Sequence, residues 1–430
     1  MNVYIPLSAV MFLEYAVWGA WAPVLAARLL GPLKMTGKQT GWIYATLPLA
    51  CIFSPLIAGQ LADKWVNTEW ILAAAHLIGA VLLFVAARQQ KFMGLFVVML
   101  FYSMCYAATM PLVNAVLFSQ VEDGATQGKV FIWAPIAWAL VGYSLTGWRM
   151  TRKSEGDGSD CLTFASILSV LMAACCLCLP QTPPAGEGGM PIAKAFEMLS
   201  DTNFLIFLVI SLFVAGLMQF YFLGTARFMQ DMGVPSKHVP ASMAIAQAAQ
   251  AVATFFALGF FLEKLGFKWT LTVGIGCWLL MYVVYVATKP RWLIIVSQSL
   301  HGLAYVFFII VGQIFANSVG PEEIRSSMQA LIFAATTGVG LFFGTQAAGV
   351  VMDYFSVDGK FQWRNVWLVP GAVMLAGLIA LVVAFHDPPA SEEGPQDKAA
   401  EEVPEMARTS LHPPAKAKAS TDCDSAGWAA

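Results

Sequence analysis

Charged residues are scarce in this chain. Asp, Glu, Lys and Arg make up 12% of its 430 residues, against 58% hydrophobic, and mean hydropathy is +0.68. An ordinary soluble domain carries about 25% charge, so the composition excludes one and points to a membrane protein with many spans. Net charge is −2 and no basic run exceeds two adjacent residues, which excludes nucleic-acid binding by a charged surface. No G-x-x-x-x-G-K-[ST] phosphate loop occurs, so no nucleotide-driven pump is expected. Five scattered histidines and eight cysteines without metal-ligand spacing supply no convergent acid, base or metal cluster, so no enzyme and no cofactor are expected. Six of the cysteines lie inside apolar runs and read as packing residues. A basic n-region is missing from the first six residues, so no cleavable signal is expected and the first apolar run stays in the membrane.

What is present is length of apolar sequence, interrupted at regular intervals. Since about 20 apolar residues cross the hydrocarbon core, twelve spans are expected, at roughly 6–30, 40–62, 70–88, 92–117, 129–148, 162–180, 202–226, 239–262, 268–288, 291–318, 324–352 and 363–385. The turn Gly59-x-x-x-Asp63-Lys64 after the second span is answered by Gly259-x-x-x-Glu263-Lys264 after the eighth. Two such turns at equal offsets indicate a duplicated, all-α transporter. The expected organisation is a six-helix bundle over 1–180, a linker over 181–201, a second bundle over 202–385 and a disordered tail over 386–430, charged and Pro-rich.

Several stretches in a consistent order resemble the bacterial nucleoside:proton symporters of the major facilitator superfamily. They are LEYAVWGAW (13–21), LADKW (61–65), His76 to Ala80, Leu112 to Asn114, Gly302 to Phe308, IRSSMQAL (324–331) and WRNVWLVPGAVM (363–374). The resemblance runs from about residue 6 to 385 and implies the major facilitator fold in a bacterial inner membrane, with both termini cytoplasmic. Basic residues counted over the loops favour the opposite orientation. The chain departs from the family pattern where Phe131 stands for an arginine, Gln250 for a glutamate and Val306 for an aspartate.

The polar residues left inside the spans form the candidate site. Glu14 is the acid well inside an apolar span, on a helical stripe with Trp18 and Trp21, and is the proton-coupling candidate. No basic partner is expected beside it; the alternative role is a hydrogen bond that ties helices together. Solute-contact candidates are Glu14, Trp18, Tyr106, Thr109, Trp138, Gln219, Tyr221, Gln247, Gln250, His301 and Tyr305: aromatic faces can stack a flat ligand and amides can bond its edges. Each also fits interhelical packing. For His76, near the turn, a helix-tying hydrogen bond is the expected role. Asp63, Lys64, Glu263 and Lys264, at the membrane edge, are assigned to gating.

The expected function is secondary transport of a small polar solute, nucleoside-like, by alternating access, with or without protons. A facilitator, a drug or sugar exporter, and a non-transporting receptor are the alternatives. The expected partners are that solute, protons and the lipid bilayer, and the expected state is a monomer.

Overall fold

The computed structural model describes residues 3–121, 124–151, 156–184, 197–319, 328 and 331–387. Most of the linker, all but the start of the tail, most of IRSSMQAL and the side chains of Asp63 and Lys64 lie outside the described residues.

Eleven helices among the described residues are long and apolar enough to cross a bilayer, from Tyr4–Leu30 to Trp363–Ala384. A shorter apolar helix, Asp160–Cys176, completes the twelve spans. Apolar side chains stay exposed along their flanks, including Val81, Phe101, Val283, Phe343 and Val383. An apolar belt of this extent is what acyl chains cover. In such a medium each backbone amide must be paired internally, so the spans are helical and the described β-structure is a two-residue ladder, Ser356–Val357 with Lys360–Phe361, in the last loop.

The spans are less continuous than their hydropathy suggests. Span one is Tyr4–Trp21 followed by Leu25–Leu30, broken beside Pro23. Span eight is interrupted at Ala257, and helix resumes at Leu258. The helical stretch that follows, Leu258–Ala287, turns at Gly266 with φ 69°, a left-handed conformation that glycine adopts without steric cost. Spans ten and eleven contain π-helical turns at Tyr305–Ile310 and Ala334–Gly340. Aspartates close the exposed N-termini of several spans. Asp201 accepts from the Phe204 amide at 2.7 Å, and Asp387, just past span twelve, accepts from the Lys268 amide at 2.7 Å.

Spans one to six and seven to twelve form two bundles. Hydrogen bonds between them, among the described residues, gather on the face that carries the loops after odd-numbered spans. Asp353, at the end of span eleven, accepts from the Gly37 amide and, at 2.9 Å, from the Lys38 amide, so it caps span two across the interface. Arg149 holds Asp160 through Nε and Nη2 at 2.7 and 2.8 Å and reaches the Ser236 carbonyl at 3.3 Å. The Ala241 amide donates to Thr146 at 2.9 Å. Arg28 joins the same face through Asp157 at 3.2 Å. Burial pushes the Asp157 carboxyl up, but hydrogen bonds from Ser159 and the Arg28 charge prevail and hold it below the usual carboxylate value. That tie is complete above about pH 4 and is lost as pH falls through the lower folded value.

Backbone contact between spans eight and ten depends on Gly302, where an added Cβ would fall on the Ala246 carbonyl oxygen. Gly302→Ala is expected to destabilise the protein by about 1–3 kcal/mol, read as a lowered thermal midpoint in detergent. Gly276→Ala, whose Cβ would meet only Leu378 at 3.9 Å, serves as control. Equal midpoints for the two variants would contradict this crossing.

Candidate functional site

Glu14 is buried in span one, and its surroundings come from three other spans of the same bundle. His76 of span three places Nε2 2.8 Å from Glu14 Oε2. Thr109 of span four places its hydroxyl 2.9 Å from Oε1, and the Tyr106 hydroxyl donates to the Glu14 carbonyl at 2.7 Å. Ser169 of span six sits behind the imidazole, 3.2 Å from Nδ1, and donates to the His76 carbonyl at 2.8 Å. The expectation that Glu14 has no basic partner is therefore corrected. His76 lies 62 positions away and reaches Glu14 only because spans one and three pack side by side. Trp21 is corrected as well: it is fully buried and donates to the Tyr102 hydroxyl at 3.1 Å rather than facing a cavity beside Trp18.

From this network a chain of aromatic rings runs to the other bundle. The Tyr106 ring stands edge-on to His76, with centroids 6.1 Å apart, and tilts against half-buried Trp18 at 6.3 Å. Trp18 meets Trp138 at 5.3 Å, and Trp138 meets Phe222 of span seven at 6.2 Å. Next to Phe222, Tyr221 stacks on His301 at 3.8 Å with an interplanar angle of 12°. Trp278 of span nine donates to His301 Nδ1 at 3.0 Å. His301 thus has Tyr221 and Trp278 as neighbours rather than Gln298, whose amide is turned to the Tyr285 hydroxyl at 2.6 Å. Phe222, Trp278 and Ser169 were missed in the sequence, where nothing marks them out from other apolar or small residues of their spans.

Three glutamines lie along this chain of rings. Gln219, Gln247 and Gln250 find no hydrogen-bond partner among the described residues, although Gln219 is buried and the other two are half-buried. Gln247 borders a cleft shared by Gly19, Trp138, Tyr221 and Phe222, and Gln219 is three residues before Phe222 on one helical face. The cleft measures about 10 Å³, room for one water. Gln250 packs against Gly302, beside His301. Tyr305 is half-buried on the next turn. A larger hollow of about 430 Å³ lies apart from this constellation, between Arg28, Arg149, Gln230 and Ser236 on the closed face.

At the opposite membrane edge, Glu263 and Lys264 pair with each other at 2.8 Å and are about half exposed. Their counterparts Asp63 and Lys64 lie at the end of the Gly37–Lys64 helix.

Comparison with known proteins decides the family. Residues 1–390 match the family described as nucleoside H+ symporter. The chain belongs to this family. It is 27% identical over 404 residues to the nucleoside permease NupG of Escherichia coli, covering 90% of this chain and 96% of NupG. Identity to the xanthosine permease of E. coli is 28% over 410 residues, covering 90% and 98%. The crystal structure of NupG superposes with a TM-score of 0.79 at 25% identity, covering 89% of this chain and 98% of that one. A D-xylose-proton symporter structure, TM-score 0.68 at 12% identity, covers 89% and 98% and shares the fold. The family member described here is thus a multi-pass membrane transporter of the major facilitator fold, not an enzyme.

Asp353 closes one face by capping span two from the other bundle. Asp353→Asn removes the charge from those hydrogen bonds, worth about 1–3 kcal/mol, and should shift the population towards opening of that face by ~10-fold or more. Spin labels at exposed Lys34 and Lys360, read by pulsed distance measurement, should show a longer component that the parent lacks. Identical distance distributions would rule out this closure role.

Proposed function

We propose that this protein carries nucleosides together with protons by rocking of its two bundles about the aromatic chain between them. The single observation that carries the reading is the set of spare amides beside aromatic faces. Buried polar groups in proteins are normally paired, yet Gln219, Gln247 and Gln250 are not paired among the described residues. Amides offer donor and acceptor together, which matches the edge of a nucleobase and the hydroxyls of a ribose. Trp18, Trp138, Phe222 and Tyr221 offer ring faces on which the base can stack. Tyr305 and His301 border the same region from span ten. Thr109 and Tyr106 are committed to Glu14 and act in this reading as wall rather than contact. The relatives named for nucleosides and xanthosine support the same solute class.

Alternating access follows from the closure on one face. With that face tied by Asp353 and Arg149, a solute reaches the site from the opposite side, where Glu263–Lys264 and the Asp63–Lys64 turn lie. Those four residues are assigned to the gate of that side. With cytoplasmic termini, the tied face is the outer one and the conformation is inward-open.

Counterflow of radiolabelled nucleosides in proteoliposomes tests the reading, with sugars and amino acids as controls. Nucleosides alone should exchange. Gln247→Ala should raise the half-saturating concentration by about 10-fold or more, as expected for one lost hydrogen bond to a buried polar solute. Counterflow of a sugar but of no nucleoside would overturn the substrate class.

A further inference from the structure

We propose, resting on the symport reading above, that the transported proton is held between Glu14 and His76, and that losing it forces spans one and three apart. Two hydroxyls beside the pair are each shared with a backbone carbonyl: Ser169 with that of His76 at 2.8 Å and Thr109 with that of Tyr106 at 2.7 Å. The His76 carbonyl can only accept, so Ser169, 2.8 Å away, gives its single hydrogen there. In the proposed arrangement His76 Nδ1, 3.2 Å from the same hydroxyl, is the donor of that contact. One further proton lies between Nε2 and Oε2, 2.8 Å apart, either as a carboxylic acid facing neutral imidazole or as carboxylate facing imidazolium. Both arrangements are neutral overall. Withdrawing that proton breaks its O–H or N–H bond and leaves a carboxylate facing an imidazole lone pair. The 2.8 Å contact becomes repulsive, in a bilayer core where an unpaired charge is costly. The geometry observed is therefore the proton-loaded one, and unloading is a mechanical event.

No other group near the pair competes for this proton at neutral pH. Tyr15 on span one, Tyr102 and Tyr106 on span four and Cys176 on span six interact electrostatically with Glu14. Phenols and thiols ordinarily ionise near 10 and 8.5, so these stay neutral. Span five faces the site with Trp133 and Trp138. The other buried acid among the described residues, Glu69, sits at the start of span three and accepts from the Thr182 amide at 3.0 Å. The pair also has a route to the solute. Tyr106 bonds the Glu14 carbonyl and touches both His76 and Trp18, so a base stacked on Trp18 and Trp138 bears on the ring that holds the pair.

The test uses the purified full-length protein. In proteoliposomes carrying labelled uridine, the parent protein should accumulate it under an inward proton gradient. Glu14→Gln should lose that accumulation by at least ~10-fold while still exchanging labelled for unlabelled uridine. In weakly buffered detergent solution made alkaline enough for the pair to start unloaded, an indicator dye should record about one proton taken up per uridine bound by the parent, and none by Glu14→Gln. Full accumulation by Glu14→Gln would overturn the proposal. Should that variant fail to fold, Thr109→Val decides, because it removes the hydroxyl that contacts Oε1. The pH dependence of accumulation should then differ from the parent's, whereas a purely structural pair would leave it unmoved. Infrared difference spectra taken across pH need no solute. A protonated-carboxyl or imidazolium band present in the parent and missing in Glu14→Gln upholds the proton site even if uridine is not carried, and the absence of both bands from the parent's spectra defeats it.

Discussion

A carboxylate in the hydrocarbon core has no water to turn to, and the cost of that isolation governs how the first bundle is assembled. Glu14 is tolerated because His76, Thr109 and Ser169 surround it from spans three, four and six. Those side chains align only if the four helices hold one rotation and one depth. The pair therefore works as a register pin as much as a charge site. Its distances are those of a network in which nearly every donor and acceptor is used, the condition under which buried polar groups specify rather than weaken a fold.

The second bundle repeats the architecture but not this solution. Its buried histidine, His301, has no acid beside it among the described residues; it stacks on Tyr221 and accepts from Trp278. The buried acids among the described residues, Glu14 and Glu69, both lie in the first bundle. Charge has thus been concentrated in one bundle, while the other offers ring faces and amides. Such a division suits a carrier in which one half reads the proton and both halves hold the solute, with the aromatic chain from Tyr106 to His301 as the mechanical link.

Closure of one face has a similar economy of parts. The N-terminal amides of span two, which no helix can satisfy internally, are met by Asp353 of the opposite bundle. Arg149 spans the interface to the Ser236 carbonyl while fixed by Asp160. These ties are few and lie at helix ends, where water can replace them when the face opens. The apolar crossings within each bundle, such as Gly302 on Ala246, have no such substitute and stay closed through the cycle.

Much of this was legible in the sequence, for a physical reason. Spanning length, scarcity of charge and a duplicated turn are local properties, and the bilayer leaves a chain so composed one regular structure to adopt. Twelve spans, two bundles and the transporter class followed from them. Helix breaks were less legible: Gly266 lies where a turn was expected, but the interruption at Ala257 and the π-helical turns depend on neighbouring spans. Glu14 could be singled out because a lone acid in an apolar run is unusual. Its partner could not, since His76 and Thr109 stand 62 and 95 positions away and any face of those helices might have turned inward. Which glutamines remain spare, which tryptophans bury themselves as Trp21 does, and which carboxylate closes a face are decided by helix rotation and packing. Only the assembled bundles settle them.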